Sequence, residues 1–370
     1  MTKARNIAEL ANDISVDSNR DVTLSNLRSD QPMMFRNKII NGDMRIDQRN
    51  AGASVSTSSG SNFYTVDRWR MYQSQVSKYT IQQNQGSVTP PAGFVNYLGI
   101  TSSSAYTVGS SELFVLQQFV EGFNIANLSW GTANAQPITI SFWVRSSLTG
   151  TFGGSLLSNG NARSYLFSYT ISAANTWEQK TVTIAGDTSG TWLTNNGIGI
   201  NLNFGIGVGS SLSGSAGSWS SNSYFSPTGA TSVIGTNGAT FYITGVQLEE
   251  GTVATPFEHR PYGTELALCQ RYYQKLEPAI FACTTNGTEQ LTSVGVPLSV
   301  SMRATPTGES GDFPCWHSTA NVIQNTTTPV FSYTAGRSSV RATINGYSGL
   351  TDNRVAVVYF GANVLDAEIG

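Results

Sequence analysis

The chain has 370 residues, of which 12% are charged and 11% aromatic, with 37 glycines, a net charge of −2 and a pI of about 5.7. That length accommodates two or three domains of roughly 100–200 residues, with a core large enough to stand without disulfides or metals. With no basic field to neutralise phosphates, nucleic acid is not an expected partner. No apolar run reaches the ~18–20 residues of a membrane span, so membrane insertion is not expected either.

The charged fraction is about half of the ~25% usual in soluble domains. Ser, Thr, Asn and Gly take up the difference, a composition that suits sheets better than helices. The opening MTKARNIAELAND contains no apolar h-region, which predicts synthesis without a secretory signal. Residues 4–14 place Ile7, Leu10, Ala11 and Ile14 on an i, i+3, i+4, i+7 stripe, a short helix of about three turns. Below ~12–15 residues such a helix is ordered only against a partner, and a frayed tail is the alternative. Residues 15–35 read as a polar linker.

From Asn37 to Tyr262 strand follows strand. ITISFWVRS (138–146) alternates Ile138, Ile140, Phe142 and Val144 with Thr139, Ser141, Trp143 and Arg145. GIGINLNFGIGVG (197–209) sets Ile198, Ile200, Leu202, Phe204, Ile206 and Val208 on one face. Its glycines 205, 207 and 209 do not form a dinucleotide loop, because a Ser/Gly-rich stretch follows where a helix is required. WEQKTVTIA (177–185) and TFYITGVQLE (240–249) complete an antiparallel pattern joined by polar loops, the signature of a sandwich. The predicted fold is mainly β: a jelly-roll β-sandwich over 36–262, a connecting helix over 263–276 and a small C-terminal β domain over 277–370. In the helix Thr264 is the expected N-cap, Leu266, Cys269, Gln270 and Tyr273 share a face, and Pro278 is the stop. Asn286-Gly287 and Asn345-Gly346 signal hairpins in the last domain. There, Val355, Val357 and Tyr359 alternate with Ala356, Val358 and Phe360. A strand apolar on both faces needs cover on both sides, from symmetry mates about a cyclic axis or from the sandwich of the same chain.

No catalytic constellation emerges. His259 and His317 lack an orienting group and a converging nucleophile, and adjacent Glu249 and Glu250 point to opposite faces of a strand. P-loop, GxSxG and HExxH motifs are missing, so neither enzymatic activity nor a cofactor is expected. An odd number of cysteines (Cys269, Cys283, Cys315) without a secretion signal argues for free thiols, most of them structural. The charged segments NKIINGDMRIDQRNAG and FYTVDRWRMY carry Asp43, Arg45, Asp47, Arg49, Asp67, Arg68 and Arg70. They predict a paired network closing the sandwich around an inward Trp69. Trp143 and Trp177 are assigned to the core. Sugar recognition uses aromatic rings that stack on pyranose faces. The candidates in loops or on polar faces are Tyr106, Trp130, Trp192, Trp219 and Tyr224. Trp219, among small polar neighbours in GSWSSNSYF, is either a ligand platform or a buried plug.

Taken in order, NKIINGDMRIDQR, YTVDRW and FYITGVQLEEGTVATPFEHRPYGTELALCQRYYQK resemble phage and prophage tail proteins, and VPLSVSMRATPT is similar to the same group. The stretch from ITISFWVRS to FYITGVQLE resembles carbohydrate-binding modules with a galactose-binding-like jelly roll. The resemblance implies a virion structural protein: a tail-fibre or receptor-binding homotrimer, made in the host cytoplasm and recognising host surface polysaccharide. Residues 1–35 would then attach to other virion proteins, and residues 277–370 would supply the trimer interface. A head fibre or collar protein, or a polysaccharide depolymerase, are the alternatives. Many such modules hold a structural calcium, and Asp43 and Glu249 occupy roughly corresponding places.

Overall fold

The computed structural model describes residues 14–16, 22–24, 35–56, 62–276, 279–286, 290–309, 313–317, 323–326, 338–345, 355–360 and 363–368. Two antiparallel sheets face each other. The larger comprises β3 (Asn62–Tyr64), β4 (Arg70–Gln73), β7 (Leu113–Glu121), β9 (Gly150–Leu157), β10 (Ser164–Ile171), β12 (Ile198–Val208) and β14 (Trp219–Ser220). Its order is β14-β10-β9-β12-β7-β4-β3. The smaller comprises β5 (Tyr79–Gln83), β6 (Leu98–Ser102), β8 (Ile138–Ser146), β11 (Glu178–Ile184) and β16 (Thr240–Glu250), in the order β11-β8-β16-β6-β5. The chain crosses between sheets at β4–β5, β6–β7, β7–β8, β8–β9, β10–β11, β11–β12 and, through the segment between them, β14–β16, the winding of a jelly roll. A short parallel pair, β13 (Ser213–Gly214) and β15 (Ser226–Pro227), lies outside the two sheets.

Period-2 alternation explains the core between them. Ile138, Ile140, Phe142 and Val144 of β8 are fully buried, as are Ile200, Leu202, Phe204 and Ile206 of β12, and they meet Trp69, Phe114, Leu116 and Phe241. The face predicted for β12 breaks at its ends. Two register shifts, at Ile198/Ile200 and Gly205/Gly207, each insert an extra residue against β7. A bulge reverses the parity of everything beyond it. Ile198 therefore packs with Phe119, Cys269 and Tyr272 on the outside of the sheet, and Val208 with Leu113 and Val115.

The NKIINGD segment forms no strand, yet it is buried. Side-chain amides do the pairing that a ladder would do. Asn37 accepts from the amides of Ile39 (2.9 Å) and Leu248 (3.1 Å), and donates to Val246 O (3.1 Å). Asn41 donates to Ile46 O and Asp67 O, and accepts from Ile46 N. Gly42 is required here, because a Cβ would stand 2.1 Å from Val246 O. Arg260 of the PFEHRPYG motif donates to Ile39 O (3.1 Å) and Asn37 O, and pairs with Glu265 (3.2 Å). The two motifs are two halves of one interaction.

The predicted network around Trp69 is present. Trp69 is fully buried and donates Nε1–H to Asn41 O at 2.9 Å. The main acids of the network come from the far end of the chain. Arg68, 1% exposed, pairs with Glu368, donates to Phe119 O at 2.5 Å and lies 3.5 Å over the Tyr272 ring. Arg49 pairs with Asp366 (2.9 Å) and Glu368 (3.2 Å) and stacks 3.7 Å over Tyr273. Arg303 donates to Ala367 O, Glu368 O and Asn196 O.

The connecting helix, α1, spans Tyr262–Gln270, displaced from the predicted 263–276. The amides of Thr264 and Glu265 already bond to Pro261 O, so Pro261, not Thr264, is the N-cap. Its buried residues are Glu265 and Cys269, with Leu266 half-buried against them. Pro278 is not the stop. The chain leaves the helix at Arg271 because β17 (Tyr273–Leu276) pairs with β25 (Asn363–Asp366), which also pairs with β20 (Thr307–Glu309). Tertiary pairing with the chain's end overrides local propensity here.

The remaining strands form one sheet in the order β22-β21-β24-β18-β19-β23: β18 (Ala279–Asn286), β19 (Gln290–Pro297), β21 (Phe313–His317), β22 (Ile323–Thr326), β23 (Ser339–Asn345) and β24 (Val355–Phe360). The apolar RVAVVYF stretch supplies β24, paired on both edges. Cys283 and Cys315 lie on the strands flanking β24. Cys269 is a free, buried cysteine, and burial pushes its thiol well above the usual range. The stripe Ile7, Leu10, Ala11 lies outside the described residues, while Ile14 opens a hairpin of β1 (Ile14–Val16) and β2 (Val22–Leu24).

Two predictions follow from the buried charges. Glu368→Gln leaves the Arg68 guanidinium buried opposite a neutral amide, and unfolding in denaturant should show a loss of about 3–5 kcal/mol. A loss below ~1 kcal/mol would mean that the pair does not hold the strap. Burial raises the Asp67 carboxyl to about 7, against hydrogen bonds from Gln48 and the charge of Arg49. Between pH ~4 and 7 the unfolded chain ionises first, so this group's stabilisation is lost as pH rises through that window and is constant above it. The stability of the native chain relative to Asp67→Asn should therefore fall by roughly 1.4 kcal/mol per pH unit from 4 to 7. A flat difference across that range contradicts it.

Candidate functional site

Three of the five predicted aromatic residues converge at one end of the sandwich. Trp130 follows β7, Trp192 lies in the β11–β12 loop, and Trp219 stands on the edge strand β14. Their ring centroids are 4.7, 5.3 and 5.4 Å apart, all near-perpendicular. Edge-to-face packing places the positive ring edge on the negative ring face, the favoured arrangement for aromatic pairs. Each indole N–H is spent inside the protein. Trp130 donates to Gln136 O (2.7 Å), Trp219 to Ala185 O (2.8 Å), and Trp192 to Ser189 O (3.2 Å) and Asp187 (3.3 Å). Asp187, 1% exposed, is also held by Arg163 through two bonds of 2.7 and 2.8 Å.

Trp130 and Trp192, expected as stacking platforms, are only 6% and 7% exposed. A pyranose needs an open ring face, and theirs are occupied by each other and by the core. They are the rigid backing of Trp219, which is half-buried. Beside Trp219 stands Tyr165 of β10, its cross-strand partner, at 5.2 Å. Tyr165 was not singled out in the sequence. Its place in SYLFSYTI reads as one more alternating strand residue, and only the pairing of β14 with β10 brings it to Trp219. Exposed Asn159, Ser189, Thr191 and Asn222 lie on the surrounding loops. The result is an aromatic surface backed by a tryptophan pair and a buried ion pair, with neutral hydrogen-bonding groups around it.

The other two predicted residues lie elsewhere. The Tyr106 hydroxyl donates to Glu112 (2.7 Å), its ring packs on Phe114 (5.9 Å), and Lys78 Nζ lies 4.5 Å from it. Tyr224 is half-buried beside Gly214. Trp143 and Trp177, expected in the core, are also half-buried. Trp143 shares the outer face of β8 with Thr139 and Ser141, opposite the core residues, and the Trp177 N–H is tied to Thr89 O at 2.9 Å.

Glu249 accepts from Thr255 N (2.8 Å), Thr255 Oγ1 (2.6 Å) and Gln247 (2.9 Å), and Asp43 pairs with Arg45 (3.2 Å). Both carboxylates are committed to protein partners, and among the described residues no three His, Cys, Asp or Glu converge on a metal-binding position. The suggested calcium ligands do not fit such a site. His259 is exposed and stacks with Phe94 (5.4 Å) and Phe257 (4.9 Å). Among the described residues no helix is long and apolar enough to cross a membrane.

No protein-family model and no curated protein matches the sequence. Solved structures resemble it at low similarity. The tailspike protein 4 enzymatically active domain of bacteriophage CBA120 is 12% identical with a TM-score of 0.34, and covers 58% of this chain, which spans 22% of the tailspike chain. A family 4 carbohydrate-binding module is 14% identical at a TM-score of 0.31, over 57% of this chain and 98% of its own. A family 11 carbohydrate-binding module from Clostridium thermocellum, in complex with a mixed-linked tetrasaccharide, is 14% identical at 0.29, over 54% of this chain and 100% of its own.

Proposed function

We propose that the chain is a non-catalytic glycan-binding protein of a phage particle, a tail-fibre or receptor-binding homotrimer that recognises host surface polysaccharide. The observation that carries the glycan reading is the Trp219–Tyr165 surface. The Trp219 N–H is spent on Ala185 O, so what that indole offers a ligand is ring area, framed by neutral hydroxyl and amide side chains. A pyranose presents the matching chemistry, an apolar C–H face with a hydroxyl rim. The low charge of the chain favours the same class of ligand, because neutral hydroxyl and amide side chains can bond a sugar's hydroxyls without the cost of desolvating a charge. The virion reading rests on the sequence resemblance of the NKIINGDMRIDQR and PFEHRPYG motifs, and attachment through residues 1–35 belongs to it.

Two experiments test the proposal. Incubation with purified host polysaccharide should give a retained complex and no new reducing ends; measurable turnover would make the protein a depolymerase. In the same assay Trp219→Ala, still folded by circular dichroism, should weaken retention roughly tenfold, about 1.4 kcal/mol, whereas Trp130→Ala should lower the melting temperature further than Trp219→Ala does. Undiminished binding by folded Trp219→Ala rules out this surface.

Light scattering should report a trimer for the native chain. A charge at Val358 or Phe360 tests one face of β24 and a charge at Val357 the other. Val358→Asp, Phe360→Asp or Val357→Asp should dissociate the trimer where the face it alters is the one between copies. A native monomer would refute the assembly, and a folded trimer with each of the three substitutions made singly would refute this interface.

A further inference from the structure

A second concave site lies away from the tryptophans and shares no residue with them. It is a pocket of about 250 Å³ lined by Phe35, Lys38, Phe123, Asn124, Asn127 and Arg260, among others. Its size falls below the roughly 300–1,000 Å³ of pockets for drug-sized ligands, so it suits one ring. Phe35 and Phe123 are 51% and 58% exposed, and they are two of only five large hydrophobic side chains so exposed among the described residues. Two open rings on one small pocket are an apolar surface without cover.

The polar lining narrows the ligand. Arg260 is 7% exposed, and its Nε is buried with no hydrogen-bond partner, a donor whose desolvation is uncompensated. Lys38 donates to Asn127 Oδ1 at 3.1 Å, and Asn127 in turn donates to Glu250. A wholly apolar ligand would strand these groups. An anion is disfavoured too, because the two cations already face three carboxylates. Glu258 and Glu265 lie 3.5 and 3.2 Å from Arg260, and Glu250 and Glu258 act electrostatically on Lys38. What remains is a neutral molecule with an apolar face and acceptor oxygens.

We propose that this pocket binds a single neutral pyranose unit, its C–H face against Phe123 and Phe35 and its hydroxyls toward Lys38, Asn124 and Asn127. This is a site additional to the Trp219–Tyr165 surface, and it stands or falls independently of it. The test is a titration of the full chain, with isotope-labelled phenylalanine, against neutral methyl glycosides: the glucoside, galactoside, mannoside and N-acetylglucosaminide. Ring signals of Phe35 and Phe123 should shift saturably with at least one of them, at about millimolar Kd. Phe123→Ala, at an exposed position, should weaken that binding at least fivefold at an unchanged melting temperature, while Trp219→Ala leaves it intact. The proposal is overturned if none of the four sugars shifts these rings or if Phe123→Ala binds as the native chain does. Tighter binding of glucuronate than of methyl glucoside would overturn the charge argument, and binding lost in Trp219→Ala would place the sugar at the other surface.

Discussion

The buried ion pair between Arg68 and Glu368 joins residues 300 positions apart and sets how the end of the chain meets its beginning. Arg68 enters the core interface from the turn before β4, with φ at +71°, and reaches past Tyr272 to the carboxylate. Around that contact, Arg49 takes Asp366, Arg303 takes the last described carbonyls, and Ala367 donates to Tyr272 O at 2.7 Å. A charge taken from water is tolerated only when paired and hydrogen-bonded. Each arginine here has a carboxylate, a carbonyl or an aromatic face, so loss of one partner is strongly destabilising, whereas the intact pair adds little over an apolar replacement of both. Its value is specificity: only one register of β25 against β17 places Asp366 and Glu368 under both guanidiniums.

The same economy governs the tryptophans. Indoles at loop ends are amphipathic, and burying them requires an acceptor for every N–H. The protein meets this with backbone carbonyls of the very loops the rings hold together, so Trp130 and Trp192 rigidify the end of the sandwich on which Trp219 and Tyr165 stand. A platform fixed in this way loses little conformational entropy on binding, which favours recognition of weakly contacting ligands such as sugars. The Arg163–Asp187 pair serves the same loops, orienting Trp192 through Asp187.

NKIINGD and PFEHRP meet where the sandwich closes, and their asparagines, arginine and glycine are demanded by buried backbone groups and by the lack of space at Gly42. Such residues specify a scaffold, and Lys38 and Arg260 at its edge also line the smaller pocket. The rings open to ligand lie in loops and on strand edges, where packing leaves surfaces uncovered.

Much of the sandwich was legible in the sequence because alternation is a local signal. The inward residues of β8, the centre of β12, the inward Trp69 and the presence of a paired charge network all follow from period and composition. Of the candidate site, Trp219 and its two tryptophan neighbours could be named, since aromatic rings among small polar residues are conspicuous. Which of them is open to solvent could not, because exposure depends on how three separate loops pack. Only the tertiary structure decided that Trp130 and Trp192 are backing, that Tyr165 joins Trp219 across the β10–β14 pair, and that bulges turn Ile198 and Val208 outward. It also moved the helix to Tyr262–Gln270 and supplied Glu368 to Arg68. Each of these depends on contacts between residues far apart in the chain, about which periodicity, capping and propensity carry no information.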